Sequence, residues 1–191
     1  RYGVLSVNDL TKLKRRVITE LSKLFVPEAK ERMAQARINS YSLIVRLNED
    51  VGRQIRYAGN YEPDETAYFT RIIRPDDICI DVGSNIGYFA LLMAQLARSG
   101  KVFAFDPIPL NILLSSASAL LNGFRNISFN QMAVGDRNGE SEFNISSDTA
   151  YSSLRDTGRK RTSEVIQVSM TTLDEYLVRE GVDHVDVLKV D

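Results

Sequence analysis

The chain has no tryptophan, one cysteine and one histidine among its 191 residues. A single cysteine excludes an internal disulfide and any metal site rich in thiolates. Cys79 lies inside the apolar run Ile78-Cys79-Ile80, where a buried structural thiol is the expected role. Neither sign of charge is in excess, at 24 basic against 25 acidic residues, so no overall field attracts nucleic acid and no nucleic-acid partner is expected. No apolar run is long enough to cross a bilayer: the most apolar window, 86–97, is too short and opens on a glycine turn. No secretory signal pattern is visible, so a cytoplasmic location is the default expectation, although the chain starts at Arg1 rather than Met and a leader stays open. No metal site is assigned.

What the chain does have is the stretch Asp81-Val82-Gly83-Ser84-Asn85-Ile86-Gly87-Tyr88-Phe89, set between a short apolar strand and a helical apolar pattern. A second apolar strand, Lys101-Val102-Phe103-Ala104-Phe105, ends in Asp106-Pro107, where an acid can bind both hydroxyls of a ribose. In a dinucleotide fingerprint the second glycine lets the backbone approach a pyrophosphate, and here that position is Asn85. The pattern D-x-G-x-x-x-G fits a nucleoside without phosphates, with Gly83 making the close turn and Gly87 a helix-to-strand contact. Asp81 would repel a pyrophosphate but attract the ammonium group of a methionine moiety, and no Lys or Arg lies between Asp81 and Arg98. S-adenosyl-L-methionine is such a ligand. Plain α/β architecture without a ligand is the alternative.

The length suits one sizeable core, or one domain plus an appendage. Residues 5–25 read as an amphipathic helix with Lys12, Lys14, Arg15, Arg16 and Lys23 on its outer face. Weak contact with a membrane surface and a solvated outer face both fit, and the lack of Trp with interruption by Thr and Glu favours the second. Pro27 starts a second helical stretch to about Ile38. The runs 41–47 and 53–57, joined by the turn-rich 48–52, form a candidate hairpin. Pro63 starts a helix to about Ile73, with Asp64 and Glu65 in its first turn. Strand 78–81, helix 87–98, strand 101–105, helix 109–122 and strand 127–132 alternate as parallel strands with right-handed crossovers do. Residues 140–145 and 164–170 read as an antiparallel excursion around a polar, mobile segment, 146–163, in which Tyr151-Ser152-Ser153-Leu154 fits contact with an acceptor and, better, a polar loop. A helix over 172–179 leads to the strand 185–190.

Six ordered segments together resemble the FkbM family of S-adenosylmethionine-dependent methyltransferases: Tyr61-Glu62-Pro63-Asp64-Glu65-Thr66, 81–88, Ala104-Phe105-Asp106-Pro107, Ala133-Val134-Gly135-Asp136, Thr172-Leu173-Asp174 and Leu188-Lys189-Val190-Asp191. The resemblance implies a Rossmann-like α/β class I methyltransferase sheet, mostly parallel, over 61–191, with 1–60 as an N-terminal helical and hairpin cap. It implies O-methylation of sugars, glycolipids, polyketides or related natural products, so the partner is a small-molecule or glycan or glycolipid acceptor. Asp81, Gly83, Asn85 and Gly87 would line the methionine part of the cofactor, and Asp106 would hold its ribose. Met132 and Ala133 would flank the adenine, and Tyr61 and Glu62 would close over the ligand. The family motif continues past Asp191, so further strands beyond it are expected.

Methyl transfer to a hydroxyl is an in-line displacement that needs positioning and removal of a proton. His184 stands at the start of the last strand and Asp191 at its end, roughly 20 Å apart, and open α/β sheets hold ligands at the carboxyl ends. Asp191 is therefore the candidate catalytic residue, as base or acceptor-orienting group, with a structural acid as its alternative reading. A non-catalytic Rossmann-like binding or interaction module stays open, and an NAD-dependent oxidoreductase is disfavoured by Asn85.

Overall fold

The computed structural model describes residues 33–38, 40–146, 152–154 and 162–191. The basic helix expected over 5–25 lies outside these residues, as does most of the segment 146–163.

The central sheet carries four parallel strands in the order β5-β4-β3-β9, from β3 (Ile78–Val82), β4 (Lys101–Phe105), β5 (Ile127–Asn130) and β9 (Val187–Val190). Helices α3 (Tyr88–Leu96) and α4 (Pro109–Asn122) make the crossovers. The apolar runs of β3 and β4 are buried on both faces, as parallel strands covered by helices must be. Cys79 and Val102 face α3, α4 and the N-terminal elements, while Ile80, Phe103 and Phe105 face Tyr176 of α5 (Leu173–Glu180). Phe105 and Tyr176 meet edge-on at 4.7 Å between ring centroids. The expected Rossmann-like, mostly parallel α/β fold is thus present.

Beside it, β7 (Gly139–Ser146) and β8 (Thr162–Thr171) pair antiparallel, and the short β6 (Ala133–Val134) joins β8. This is the antiparallel excursion read from the sequence, and its apolar face closes over Ile108 and Ala133. Helix α2 (Pro63–Ile72) begins at Pro63 as expected.

Two readings before α2 are corrected. The helical stretch drawn to Ile38 is a strand over its described part, β1 (Met33–Ile38), because Ala36 and Ile38 alternate inward against outward Gln35 and Arg37. The strand read at 53–57 belongs to a helix, α1 (Asp50–Ala58), which buries Val51 and Ile55 one turn apart and ends on left-handed Gly59, whose N–H bonds the Ile55 carbonyl. The hairpin is therefore β1 with β2 (Tyr41–Arg46). The free edge of β2 meets α4: the Ser42 N–H donates to Asn122 Oδ1 (2.8 Å), and the Ile44 N–H donates to Ser118 Oγ (2.9 Å). Helix side chains thus cover an edge that would otherwise be open to another strand. Among the described residues no helix is long and apolar enough to cross a membrane.

Candidate active site

The carboxyl ends of β3, β4 and β9 converge on the bend 83–87. Gly83 (φ +76°), Asn85 (φ +48°) and Gly87 (φ +87°) are left-handed there, and the N–H groups of Gly83 and Ser84 both donate to the Phe105 carbonyl at 2.9 Å. The φ of Gly83 favours glycine, and a Cβ there would also stand a tight 3.2 Å from the Asp191 carbonyl oxygen. Asp106, at the tip of β4, is buried and held by three protein donors. Its Oδ2 accepts from the Asn85 N–H (2.9 Å), and its Oδ1 accepts from the Ile108 N–H (2.9 Å) and Asn111 Nδ2 (3.1 Å).

Asp81 differs. It pairs in register with Ala104 and Lys189, is 1% exposed, and neither of its oxygens has a hydrogen-bond partner. Lys189 Nζ stands 4.0 Å from Asp81 Oδ1, donates to Asp191 Oδ2 at 3.2 Å, and lies over the Phe89 ring at 5.0 Å.

A cavity of about 200 Å³ opens above the bend. Of the residues expected at the site, Tyr61, Asp81, Gly83, Asn85, Asp106, Met132, Ala133 and Asp191 border it. Gly87 and Glu62 do not. A Cβ on Gly87 would meet Ser115 at 2.6 Å, so this glycine permits helix-to-helix packing of α3 on α4, where a helix-to-strand contact was expected. Glu62, left-handed at φ +44° before α2, borders an open groove with Asp64, Glu65, Tyr68 and residues 188–191. Lys189 and Asp191 border both spaces. His184 borders neither and pairs with exposed Asp183. Ser152, Ser153 and Leu154, for which a polar loop was the favoured reading and acceptor contact the alternative, reach the cavity through a bridge between Asn144 and Ser153. No local pattern marks them.

Burial pushes the Asp81 carboxyl up to about 7, against the pull of the Lys189 cation. Burial likewise pushes Asp106 up to about 6, opposed by its three hydrogen bonds. Asp81, Ser84 and Asn85 border the cavity, and both Asp81 oxygens, Ser84 Oγ and Asn85 Oδ1 are buried without a hydrogen-bond partner from the described residues, so water or a ligand can satisfy them there. A cationic nucleoside meets that need: its ammonium suits Asp81, its ribose suits Asp106, and the bend offers no cation for a pyrophosphate.

Residues 81–191, more than half of the chain, match the Methyltransferase FkbM domain. The chain belongs to the FkbM methyltransferase family. S-adenosylmethionine is the cofactor of that family, and the unpartnered atoms and the glycine cradle of this FkbM domain fit it. No curated protein matches the chain. Solved structures with a likeness to it include M. jannaschii TYW2 in complex with AdoMet, at 14% identity and TM-score 0.43, covering 51% of this chain and 42% of that one. Trm5b from Pyrococcus abyssi aligns at 17% identity and TM-score 0.43, covering 54% of this chain and 30% of that one. An rRNA methylase from Streptococcus thermophilus aligns at 18% identity and TM-score 0.34, covering 37% and 41%. This chain spans less than half the length of each of them.

Proposed function

We propose that this FkbM-family protein methylates a hydroxyl of a sugar, glycolipid or related natural product, using S-adenosylmethionine. The observation that carries the reading is the buried Asp81 carboxylate, whose nearest cation, Lys189, stands 4.0 Å off and which borders the same cavity as Asp106. Bound S-adenosylmethionine supplies an electrophilic methyl group carried on a sulfonium.

In this reading Asp81 takes the ammonium group, Asp106 the ribose hydroxyls, and Met132 and Ala133 the adenine faces. The acceptor lies along the groove beyond Lys189 and Asp191. Asp191, held by the Lys189 ammonium at 3.2 Å, receives the proton of the acceptor hydroxyl. Tyr61, which meets Tyr88 edge-on at 5.7 Å, walls off water on the α2 side. Residues 1–60 act as the cap that selects the acceptor, and 61–191 as the methyltransferase domain. The carboxylates of Glu62, Asp64 and Glu65 along the groove suit hydroxyl donors and repel phosphates. An RNA acceptor, of the kind named for the Streptococcus thermophilus methylase, is therefore disfavoured.

The test incubates the protein with methyl-labelled S-adenosylmethionine and panels of neutral glycosides and glycolipids. Label in an alkali-stable ether is expected. Cofactor binding without transfer to any hydroxyl acceptor would replace this reading with the non-catalytic binding module.

A further inference from the structure

A buried polar chain runs into the site from outside the region that matches the family. Arg46, the last residue of β2, is 8% exposed and pairs with Glu49, itself 4% exposed, at 2.9 Å. The same Nη2 donates to Asn111 Oδ1 at 2.8 Å, and Asn111 Nδ2 donates to Asp106 Oδ1 at 3.1 Å. Asn111 is fully buried on α4.

The amide can stand one way only. Turned over, it would set its NH2 against the guanidinium and its oxygen against the carboxylate, exchanging two attractive contacts for two repulsive ones. The cation also polarises the amide, which strengthens the N–H it gives to Asp106. Helix α1 presses on the end of β2 so closely that a Cβ on Gly52 would fall 2.0 Å from the Arg46 carbonyl oxygen, which fixes the root of the Arg46 side chain. Asp106 thereby has Oδ1 occupied by two protein donors. Its Oδ2 keeps a single donor among the described residues, the Asn85 N–H, and has lone-pair capacity to spare.

We infer that Arg46 is a positioning residue for the donor site: acting through Asn111, it fixes the rotation of the Asp106 carboxylate so that Oδ2 is presented to the ribose hydroxyls. The inference rests on Asp106 being the ribose carboxylate. It ties recognition of the cofactor to the N-terminal hairpin, 65 residues away from Asn111 in sequence.

Calorimetry with S-adenosylhomocysteine and its 2′-deoxy analogue tests it. Hydrogen bonds to a charged group are worth enough that the wild type should prefer the 2′-hydroxyl ligand by about tenfold or more. Two variants cut the relay independently: Arg46→Met together with Glu49→Gln, which avoids stranding a buried carboxylate, and Asn111→Ser, which keeps the Arg46–Glu49 pair. Either variant that folds, as judged by circular dichroism, should lose most of the preference while binding the 2′-deoxy analogue as the wild type does. A purely structural role would weaken both ligands alike. Wild-type discrimination in a folded variant would overturn the inference with the cofactor reading intact, whereas a wild type that binds neither ligand would overturn the cofactor reading itself.

Discussion

Asp81→Asn should make the folded chain more stable at pH 8 and its donor site weaker, and one cause underlies both. Burial raises the carboxyl from 3.8 to about 7 in the folded chain. Between those values the folded state holds a proton that the unfolded state has released, so the contribution of this group to stability falls as pH rises through that window. Below pH 3.8 the effect is absent, and above about 7 it is complete. Three pKa steps at 1.36 each put the penalty at about 4 kcal/mol at pH 8. The amide removes that charge but leaves unpartnered polar atoms in the same place, which costs about 1–3 kcal/mol. Lys189 loses a carboxylate at 4.0 Å and retains Asp191 at 3.2 Å. The net gain is about 1–3 kcal/mol at pH 8, and because the cost of the unpartnered amide does not vary with pH while the charge penalty vanishes, it turns into a net loss of about 1–3 kcal/mol toward pH 4.

Urea denaturation of both proteins at pH 8 and pH 5, followed by circular dichroism, measures this difference. Calorimetry with S-adenosylmethionine should show a loss of about tenfold or more in affinity for the variant, the worth of a hydrogen bond to a charged group. A variant less stable than wild type at pH 8, or one whose stability difference is the same at both pH values, would refute the claim that an unsatisfied buried charge occupies this position. Unchanged donor affinity would separately remove Asp81 from the cofactor site.

Wild-type donor affinity should rise from pH 5.5 to 7.5 as Asp81 and Asp106 ionise, read from calorimetric titrations at each pH. Asp191→Asn should lower turnover strongly while donor affinity stays near wild type, and equal turnover would remove Asp191 from the chemistry. Gly83→Ala places a side chain at φ +76° and 3.2 Å from the Asp191 carbonyl oxygen, so thermal melts should show a loss of about 1–3 kcal/mol, with donor binding weakened too. Tyr176→Phe removes the 2.8 Å bond to Asn130 Oδ1 while keeping the ring stack, for a loss of about 1 kcal/mol in urea denaturation and no change in donor affinity.

The parts of the molecule legible in the sequence are those whose causes are local. A glycine bend between an apolar strand and an apolar helix reads directly, and so does a proline followed by two acids at the start of α2. Asp81, Asp106 and Asp191 stand out because each is an acid at a strand end. The stretch 50–58 was misread because Arg53-Gln54-Ile55-Arg56-Tyr57 is too short to show a period. The deciding signals flank it, Val51 one turn before Ile55 and Gly59 as the stop. In β1 the inward residues include alanines, so alternation carried little hydrophobic contrast. Arg46 and Asn111 could not be read at all, and Ser152–Leu154 only as a loop with acceptor contact as the alternative, because their relation to the site exists only once distant segments are folded together.

The charge inventory at the site bears on function more directly than the fold does. A domain shaped for stability alone would not keep two carboxylates at 1% and 6% exposure, both pushed toward neutrality by burial. Asp106 is offset by three hydrogen bonds and an arginine behind Asn111, which is what a carboxylate of fixed orientation requires. Asp81 has as its nearest cation a lysine at 4.0 Å, and that lysine is shared with Asp191. The two acids therefore stand in different states of readiness: one is held in place by the protein, and the other, in the proposed reading, takes a cation from outside. A ligand that brings an ammonium group restores the missing interaction, and its binding should raise stability more at pH 8 than at pH 5, because at the lower pH Asp81 is already neutral and has little left to gain.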